Sequence, residues 1–542
     1  MQEAIAASRQ FPLAPSRLCG LGINYFGILW AHLAVRLVKS PSGIMQNREP
    51  SAHINGAHRS SPGESAGRRL VVMSNRAPIR IVREDGHERI EPTVGGVGTT
   101  FLRLLERHGG LWIAWSGGQK TPPRLPFPPG HPCFAMSFVQ LGERDVSLYY
   151  YGLCNRALWP LMHSMISNCH FNTSHWRQYV LVNERFAERA VAEADSGDAL
   201  WIQDFHLALT PAKIRAKRSD LPIGIFWHVP FPPVELYMVF PWRKEMLAGM
   251  LGADMVGFHT HGYARHFLDA CERVLGAEVD RARCEVRYRG RLTRALPFPL
   301  GIPVDYFEQL AANPKTLERA QRIRRALRSE IVVLGVDRLD YTKGILERLL
   351  GFERFLDTNP VYHRRVTLVL IAVPSRTKVT DYIMLKRQVD ETVGRVIGKF
   401  SSAGWVPIRY LYTQFGAEEL VAHYVAADIA LLTPLRDGMN LVAKEFVASH
   451  PSDDAVLILS EFAGAAEELT EALLVNPYDA DAVAERLREA IEMEPAKRAA
   501  RMRALRHKVH ENNLERWSAN FLHALAGDFA LEAHAASAVG AD

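Results

Sequence analysis

Residues 431–446 read LLTPLRDGMNLVAKEF, an apolar run that breaks into Arg436-Asp437-Gly438-Met439-Asn440 before a helix-like stretch carrying Lys444 and Glu445. Gly438 lets the backbone turn without a side chain in the way. The amides of Met439, Asn440 and Leu441 are then expected to face a ligand at the helix N-terminus, where the dipole favours phosphate. Asp437 at the mouth of such a site repels phosphate, so it is expected to face sugar hydroxyls instead. Glu445 lies eight residues beyond Asp437, a little over two helical turns and so on roughly the same face. A carboxylate there accepts two hydrogen bonds from a vicinal ribose diol. The plainer alternative is a capping aspartate followed by an exposed Lys444–Glu445 pair.

A second cluster, VDRLDYTKG at 336–344, delivers Arg338 and Lys343 to a turn closed by Gly344. Two cations flanking a glycine turn suit a diphosphate, the arginine gripping as a fork and the lysine as a point charge. The alternative is a pair of surface cations neutralised by Asp337 and Asp340. Both readings stand on these residues alone.

The elements that must position these groups alternate regularly. RRLVVMSNR, LWIAWSG, ALWIQDFH, IGIFWHVPF and ADMVGFH are buried strands, with helices such as GGVGTTFLRLLERHGG and GYARHFLDACERVL between them. EIVVLGVDRLDYTKG restarts the series, and VTLVLIAVPSR, IRYLYTQF, DIALLTPLRDG and AVLILSEFAGA continue it. Alternation of this kind predicts parallel α/β sheets. Each strand ends in a polar cluster, and ligands of open α/β sheets sit at those carboxyl ends. The predicted fold class is therefore α/β, with two Rossmann-like domains facing across a cleft. The predicted division is an N-terminal extension, largely disordered, at 1–68, a first domain at 69–303, a second at 304–527 and a tail at 528–542. The proline- and glycine-rich 297–307 is the expected hinge.

Composition narrows the function. The formal charge is +6 over 542 residues, but residues 1–69 hold eight Lys or Arg against three acids, so the body is nearly neutral. A nucleic-acid-binding face needs a basic stripe on the folded body, and this count argues against one. Cys19, Cys133, Cys154, Cys169, Cys271 and Cys284 show neither a CxxC pattern nor ligand spacing with histidine. They read as reduced thiols of a cytoplasmic protein. The stretch 18–35 is membrane-like, but it is short and interrupted by Asn24 and His32. A membrane anchor is not expected there, and the segment can equally lie upstream of a natural start at Met45.

Taken in order, MSNRAPI, GGVGTTF, LWIAWSG, YYYGLCNRALWPLMH, WIQDFHL, FWHVPFPPVELY, LGADMVGFHT, GVDRLDYTKG, VPSR, LLTPLRDGMNLVAKE and LSEFAGAAEEL resemble the trehalose-6-phosphate synthases. These are retaining glycosyltransferases of the two-Rossmann, or GT-B, fold, and the resemblance covers about residues 70–527. It implies transfer of glucose from a nucleotide-glucose to glucose 6-phosphate. UDP-glucose is the first expectation for the donor, although UDP-, GDP- and ADP-glucose all occur in the family. It further implies that Arg338 and Lys343 hold the donor diphosphate and Glu445 the ribose. Asp437 and the backbone of Gly438, Met439, Asn440 and Leu441 meet the donor sugar and phosphates, and His228 lies at the donor glucose. Asp204 contacts the acceptor near the reacting centre. Arg76, Tyr150, Trp159 and Arg376 form the acceptor pocket, and Gly95 and Gly96 belong to a mobile loop over the donor. The first domain is thus the acceptor domain and the second the nucleotide-sugar domain.

No cofactor and no metal are expected, because Arg338 and Lys343 can neutralise the leaving diphosphate themselves. The expected partners are the two small substrates, with a homo-oligomer left open. Three positions depart from the family's usual residues near the acceptor half: Cys154 for a serine or similar polar residue, Ala114 for glycine, and Trp227 for a smaller apolar residue. A sister activity, glucosylglycerol-phosphate synthase, takes glycerol 3-phosphate, but the retained MSNRAPI and Asp204-Phe205-His206 favour glucose 6-phosphate. A catalytically silent homologue would have lost Arg338, Lys343, Asp437 or Glu445, and all four are present. No aspartate-led phosphatase domain follows, so dephosphorylation is expected of another protein.

Overall fold

The computed structural model describes residues 68–84, 87–92, 96–117, 124–128, 131–377, 379–450 and 452–526. The leader with its apolar stretch and Cys19, the loop glycine Gly95 and the tail lie outside the described residues. Among the described residues, no helix is long and apolar enough to cross a membrane, and the five cysteines are free.

Strands Leu111–Trp115, Ala199–Gln203, Ile223–Phe226 and Met255–Phe258 are buried at every residue. A strand hidden on both faces needs a layer of helices on each side, and parallel strands joined by helical crossovers provide one. Among the described residues two large sheets result, of 10 and 6 strands, beside a two-stranded antiparallel sheet of Ile79–Glu84 and His87–Pro92. In the first, the parallel strands run Phe134–Phe138, Leu111–Trp115, Leu70–Arg76, Ala199–Gln203, Ile223–Phe226, Met255–Phe258, Arg291–Pro297, with antiparallel strands at both edges. In the second, wholly parallel sheet the order is Ile408–Leu411, Val366–Val373, Ile331–Arg338, Ile429–Leu432, Val456–Ser460, Leu473–Val475. Numbered along the chain, the second is the 3-2-1-4-5-6 order of mononucleotide-binding sheets, and the first follows the same rule with one more strand. The order reverses between Leu70–Arg76 and Ala199–Gln203 in one sheet, and between Ile331–Arg338 and Ile429–Leu432 in the other. Those are the places where such sheets open a ligand crevice.

The chain passes between the lobes twice. The first crossing, residues 298–303, falls within the expected hinge. The second is at 512–513, and the two touch: the Leu514 amide donates to the Ile302 carbonyl at 3.2 Å. Gly301 is required there, since a Cβ on it would lie 2.2 Å from the Asn512 carbonyl oxygen. After the second crossing, helix Leu514–Ala526 packs on the first sheet rather than the second. Its Leu514, Trp517, Phe521, Leu522 and Leu525 share one core with Leu70, Val72, Trp112 and Trp201. The Phe521 ring stacks on Trp201 at 4.3 Å. Gly224 and Gly257 make room for it, because a Cβ on either would come within 2.9 Å or 2.7 Å of that ring. A second domain drawn continuously to 527 therefore assigns this helix to the wrong core. Its apolar stripe completes the helix layer over the first sheet.

Candidate active site

In the second lobe, strand Ile331–Arg338 ends in a tight turn capped by Asp340, whose Oδ1 accepts from the Thr342 amide at 3.1 Å and its hydroxyl at 3.0 Å. Gly344 closes the turn at φ 59°, with no room for a Cβ beside the Thr433 carbonyl oxygen, 2.0 Å away. The turn sets Lys343 opposite the strand-to-helix break that follows Ile429–Leu432, and Lys343 Nζ donates to Asp437 Oδ2 at 2.6 Å. Asn440 Nδ2 donates to the same oxygen at 3.1 Å. Burial alone would raise the Asp437 carboxyl, but the Lys343 ammonium outweighs it and holds the group below its ordinary range.

The left-handed residue at this break is Asn440, at φ 75°, and its Oδ1 caps helix Leu441–Ala448 by accepting from the Ala443 amide at 3.1 Å. Gly438 is needed for a different reason than turning. A Cβ there would stand 2.4 Å from the carbonyl oxygen of His228, in the other lobe. The backbone of this loop thus runs directly against the strand-end loop of the first lobe. Tyr263 ties it further, its hydroxyl donating to the Asp437 carbonyl at 3.1 Å.

Lys444 and Glu445 are not an exposed pair. The Lys444 ammonium is fully buried, donating to Glu468 Oε2 at 2.6 Å and to the Leu300 carbonyl in the first crossing at 2.9 Å. Glu445, the next residue of the helix, is also buried, and Tyr424 donates to its Oε2 at 2.8 Å. Burial pushes this carboxyl up to about 7 even though the tyrosine favours the anion.

In the first lobe, Asp204 follows strand Ala199–Gln203 in a left-handed conformation, φ 71°. Its Oδ1 accepts from the His228 amide at 3.2 Å, and Oδ2 lies 3.5 Å from His206 Nδ1. Burial would raise Asp204, but the facing His206 and His228 keep it ionised at below its ordinary value. The His228 ring is held by Gln203 at 2.9 Å, its Nδ1 is buried without a partner, and burial pushes it down to about 4. It is a neutral ring with one nitrogen unused by the protein.

Tyr150 stacks parallel to His206, with 5.9 Å between ring centroids. Trp159 lies where the wide helix Val146–Leu158 gives way to the short helix Trp159–Met162. The Arg76 guanidinium lies over Trp115 at 4.9 Å. From the second lobe, Arg376 and Arg338 both lie over the Trp159 ring, at 4.3 Å and 5.3 Å. Arg376 and Arg76 both act on Tyr150: burial raises its hydroxyl, and these two cations, one from each lobe, oppose the rise.

A model of glycosyltransferase family 20 matches residues 68–527. The chain belongs to that family. It is 41% identical over 483 residues to the trehalose-6-phosphate synthase of Mycolicibacterium vanbaalenii, covering 87% of this chain and 98% of that one. It is 40% identical over 468 residues to the bifunctional trehalose-6-phosphate synthase/phosphatase of Thermoproteus tenax, spanning 84% of this chain and 63% of that longer protein. Among solved structures, the UDP-forming α,α-trehalose-phosphate synthase of Burkholderia xenovorans in complex with glucose 6-phosphate superposes with a TM-score of 0.77. That pair is 33% identical, with 84% of this chain and 99% of the other covered. Family 20 membership makes the chain a glycosyltransferase, and its two-lobed α/β architecture is the GT-B fold.

Most of the expected site residues come together at this glycosyltransferase cleft, but several partners differ from expectation. Asp337 pairs with the fully buried Arg348 at 2.5 Å and Asp340 with Arg376 at 3.0 Å. The surface-cation alternative fails at Lys343, which is buried and pairs with Asp437, although Asp340 also feels the charges of Arg338 and Lys343. Asp437 faces Lys343 directly, so the acid expected at the sugar and the cation expected at the diphosphate form one pair. Gly96 opens helix Gly96–His108, while Gly95 is outside the described residues. Arg376 follows strand Val366–Val373 of the second lobe, so both lobes build the pocket around Trp159.

The sequence reading passed over His163, Tyr382 and Tyr424. The His163 ring lies tilted against Trp159, with centroids 4.2 Å apart, and its Nδ1 meets the Trp159 carbonyl at 2.8 Å. Burial pushes it down to about 4. Its one-turn spacing from Trp159 was the available signal. Tyr382 and Tyr424 carry no motif and are found only through their partners.

Proposed function

We propose that this glycosyltransferase moves glucose, with retention, from UDP-glucose to glucose 6-phosphate, giving trehalose 6-phosphate. The observation that carries the reading is the meeting at Trp159 of Arg338, from the turn that bears Lys343, and Arg376, from a separate loop. A nucleotide diphosphate and a sugar phosphate each need a cationic grip, roughly one sugar apart, and an indole wall suits the C–H face of a pyranose. Arg338 and Lys343 serve the leaving diphosphate, Glu445 the ribose, and His228 with Asp437 the donor glucose. The Gly438–Leu441 backbone meets the donor, and Arg76, Tyr150 and Arg376 hold the acceptor phosphate. Asp204 lies at the acceptor hydroxyl. In the transfer, the bond from the anomeric carbon to the diphosphate oxygen breaks and one to the acceptor oxygen forms. The acceptor's proton passes to the departing phosphate.

Glycerol 3-phosphate as acceptor finds no support in the relatives described above. Transfer without metal or cofactor and a cytoplasmic place of action belong to the same proposal. A matrix of UDP-, GDP- and ADP-glucose against glucose 6-phosphate and glycerol 3-phosphate, with and without EDTA, tests the reading. The expected result is trehalose 6-phosphate from UDP-glucose, undiminished by EDTA. Preference for glycerol 3-phosphate, or activity lost to EDTA and restored by magnesium, would overturn the corresponding part.

A further inference from the structure

Asp340 has four donors on its two oxygens and is fully buried. Oδ1 takes the amide and hydroxyl of Thr342, within the turn that carries Lys343. Oδ2 takes Arg376 Nη1 at 3.0 Å and the Tyr382 hydroxyl at 2.9 Å. Arg376 also donates to that hydroxyl, which closes a ring of three groups. The guanidinium is bounded on another side by Trp159. Its own backbone is left-handed, φ 45°, a conformation that a residue with a side chain keeps only where its surroundings over-determine it. Arg376 Nε, by contrast, is buried and has no partner. The protein thus holds Nη1 of this arginine on two acceptors and leaves Nε unused.

We propose that Tyr382 is a positioning residue for the acceptor: with Asp340 it holds Arg376 in the orientation that receives the acceptor's phosphate, and Asp340 ties that orientation to the donor turn. The inference rests on the glucose 6-phosphate reading above. Tyr382 itself need touch neither substrate. It donates to the carboxylate and accepts from the guanidinium, so its removal frees Arg376 to swing about Asp340. An arginine holding a phosphate dianion through charge-assisted bonds loses that contact when its fork is no longer oriented. The loss falls on acceptor binding, not on the departing diphosphate.

The test is steady-state kinetics of Tyr382→Phe, Arg376→Ala and the double variant, with thermal melting of each and UDP-glucose hydrolysis measured without acceptor. Tyr382→Phe should raise KM for glucose 6-phosphate about tenfold, with kcat, KM for UDP-glucose and hydrolysis each within about threefold. In the Arg376→Ala background the same change should add nothing, because its only route to the acceptor is through that arginine. An additive loss in the double variant, or a fall in donor hydrolysis matching the fall in transfer, would show that Tyr382 supports the fold generally. An unchanged KM for glucose 6-phosphate would overturn the inference alone. No turnover of glucose 6-phosphate by the wild type would overturn the reading beneath it, and the inference with it.

Discussion

Replacing Glu445 with glutamine should stabilise the protein while damaging its activity, and both effects should grow as pH rises through 7. The side chain is buried in helix Leu441–Ala448 with one oxygen on the Tyr424 hydroxyl. Glutamine keeps that bond through its carbonyl and removes the charge. Burial raises the carboxyl from an ordinary 4.5 to about 7, a gap of about 3 kcal/mol. Because the folded-state value is the higher one, the contribution to stability is fully present below pH 4.5 and is lost as pH rises through 7. The variant has no such slope. For a body the size of the family match, residues 68–527, about 3 kcal/mol corresponds to roughly 3 °C in Tm. Thermal melts of both proteins from pH 5 to 9 should therefore diverge, the variant gaining with rising pH and levelling off by pH 8. Above pH 7, where the wild-type carboxylate is ionised, kcat/KM for UDP-glucose should fall about tenfold to a hundredfold in the variant, through loss of a charge-assisted bond to the ribose. A Tm difference that stays flat with pH would refute the burial argument. An unchanged kcat/KM would refute the placement at the ribose.

Gly438→Ala should lower kcat about a hundredfold with little change in Tm, because the added Cβ would stand 2.4 Å from the His228 carbonyl oxygen and the lobes must part by a fraction of an ångström or more at the reacting centre. A rate within threefold of wild type would mean that the loop gives way freely. Arg376→Ala should raise KM for glucose 6-phosphate at least tenfold and leave slow hydrolysis of UDP-glucose nearly intact. Arg338→Ala should impair both reactions, and equal damage from the two substitutions would show that the cleft is divided wrongly. Gly257→Ala should lower stability without touching KM, since its Cβ would meet Phe521 at 2.7 Å and push helix Leu514–Ala526 off the first sheet. Melting that matches wild type would refute that packing account.

The strand–helix alternation, its restart at residue 331 and the polar cluster at each strand end were legible in the sequence, because hydrophobic period and turn chemistry act over a few neighbouring residues. From those alone, the glycine turn bearing Lys343 and the break at Asp437 could be set at strand ends that open on a crevice. Which charge meets which could not be read the same way. Lys343 and Asp437 are 94 residues apart, and Asp340 and Arg376 are 36 apart. Such pairs exist because the strands before them lie side by side: Ile331–Arg338 has Val366–Val373 on one flank and, where the order reverses, Ile429–Leu432 on the other. Gly438 looked like a turn residue, but only the other lobe's His228 carbonyl makes glycine necessary there. Glu445 looked like an open carboxylate, and only its burial beside Tyr424 raises it to about 7. The last helix, continuous in sequence with the second lobe, caps the first. Local patterns set the elements, while the partners, the ionisation and the close approaches follow from long-range packing, which a linear pattern does not encode.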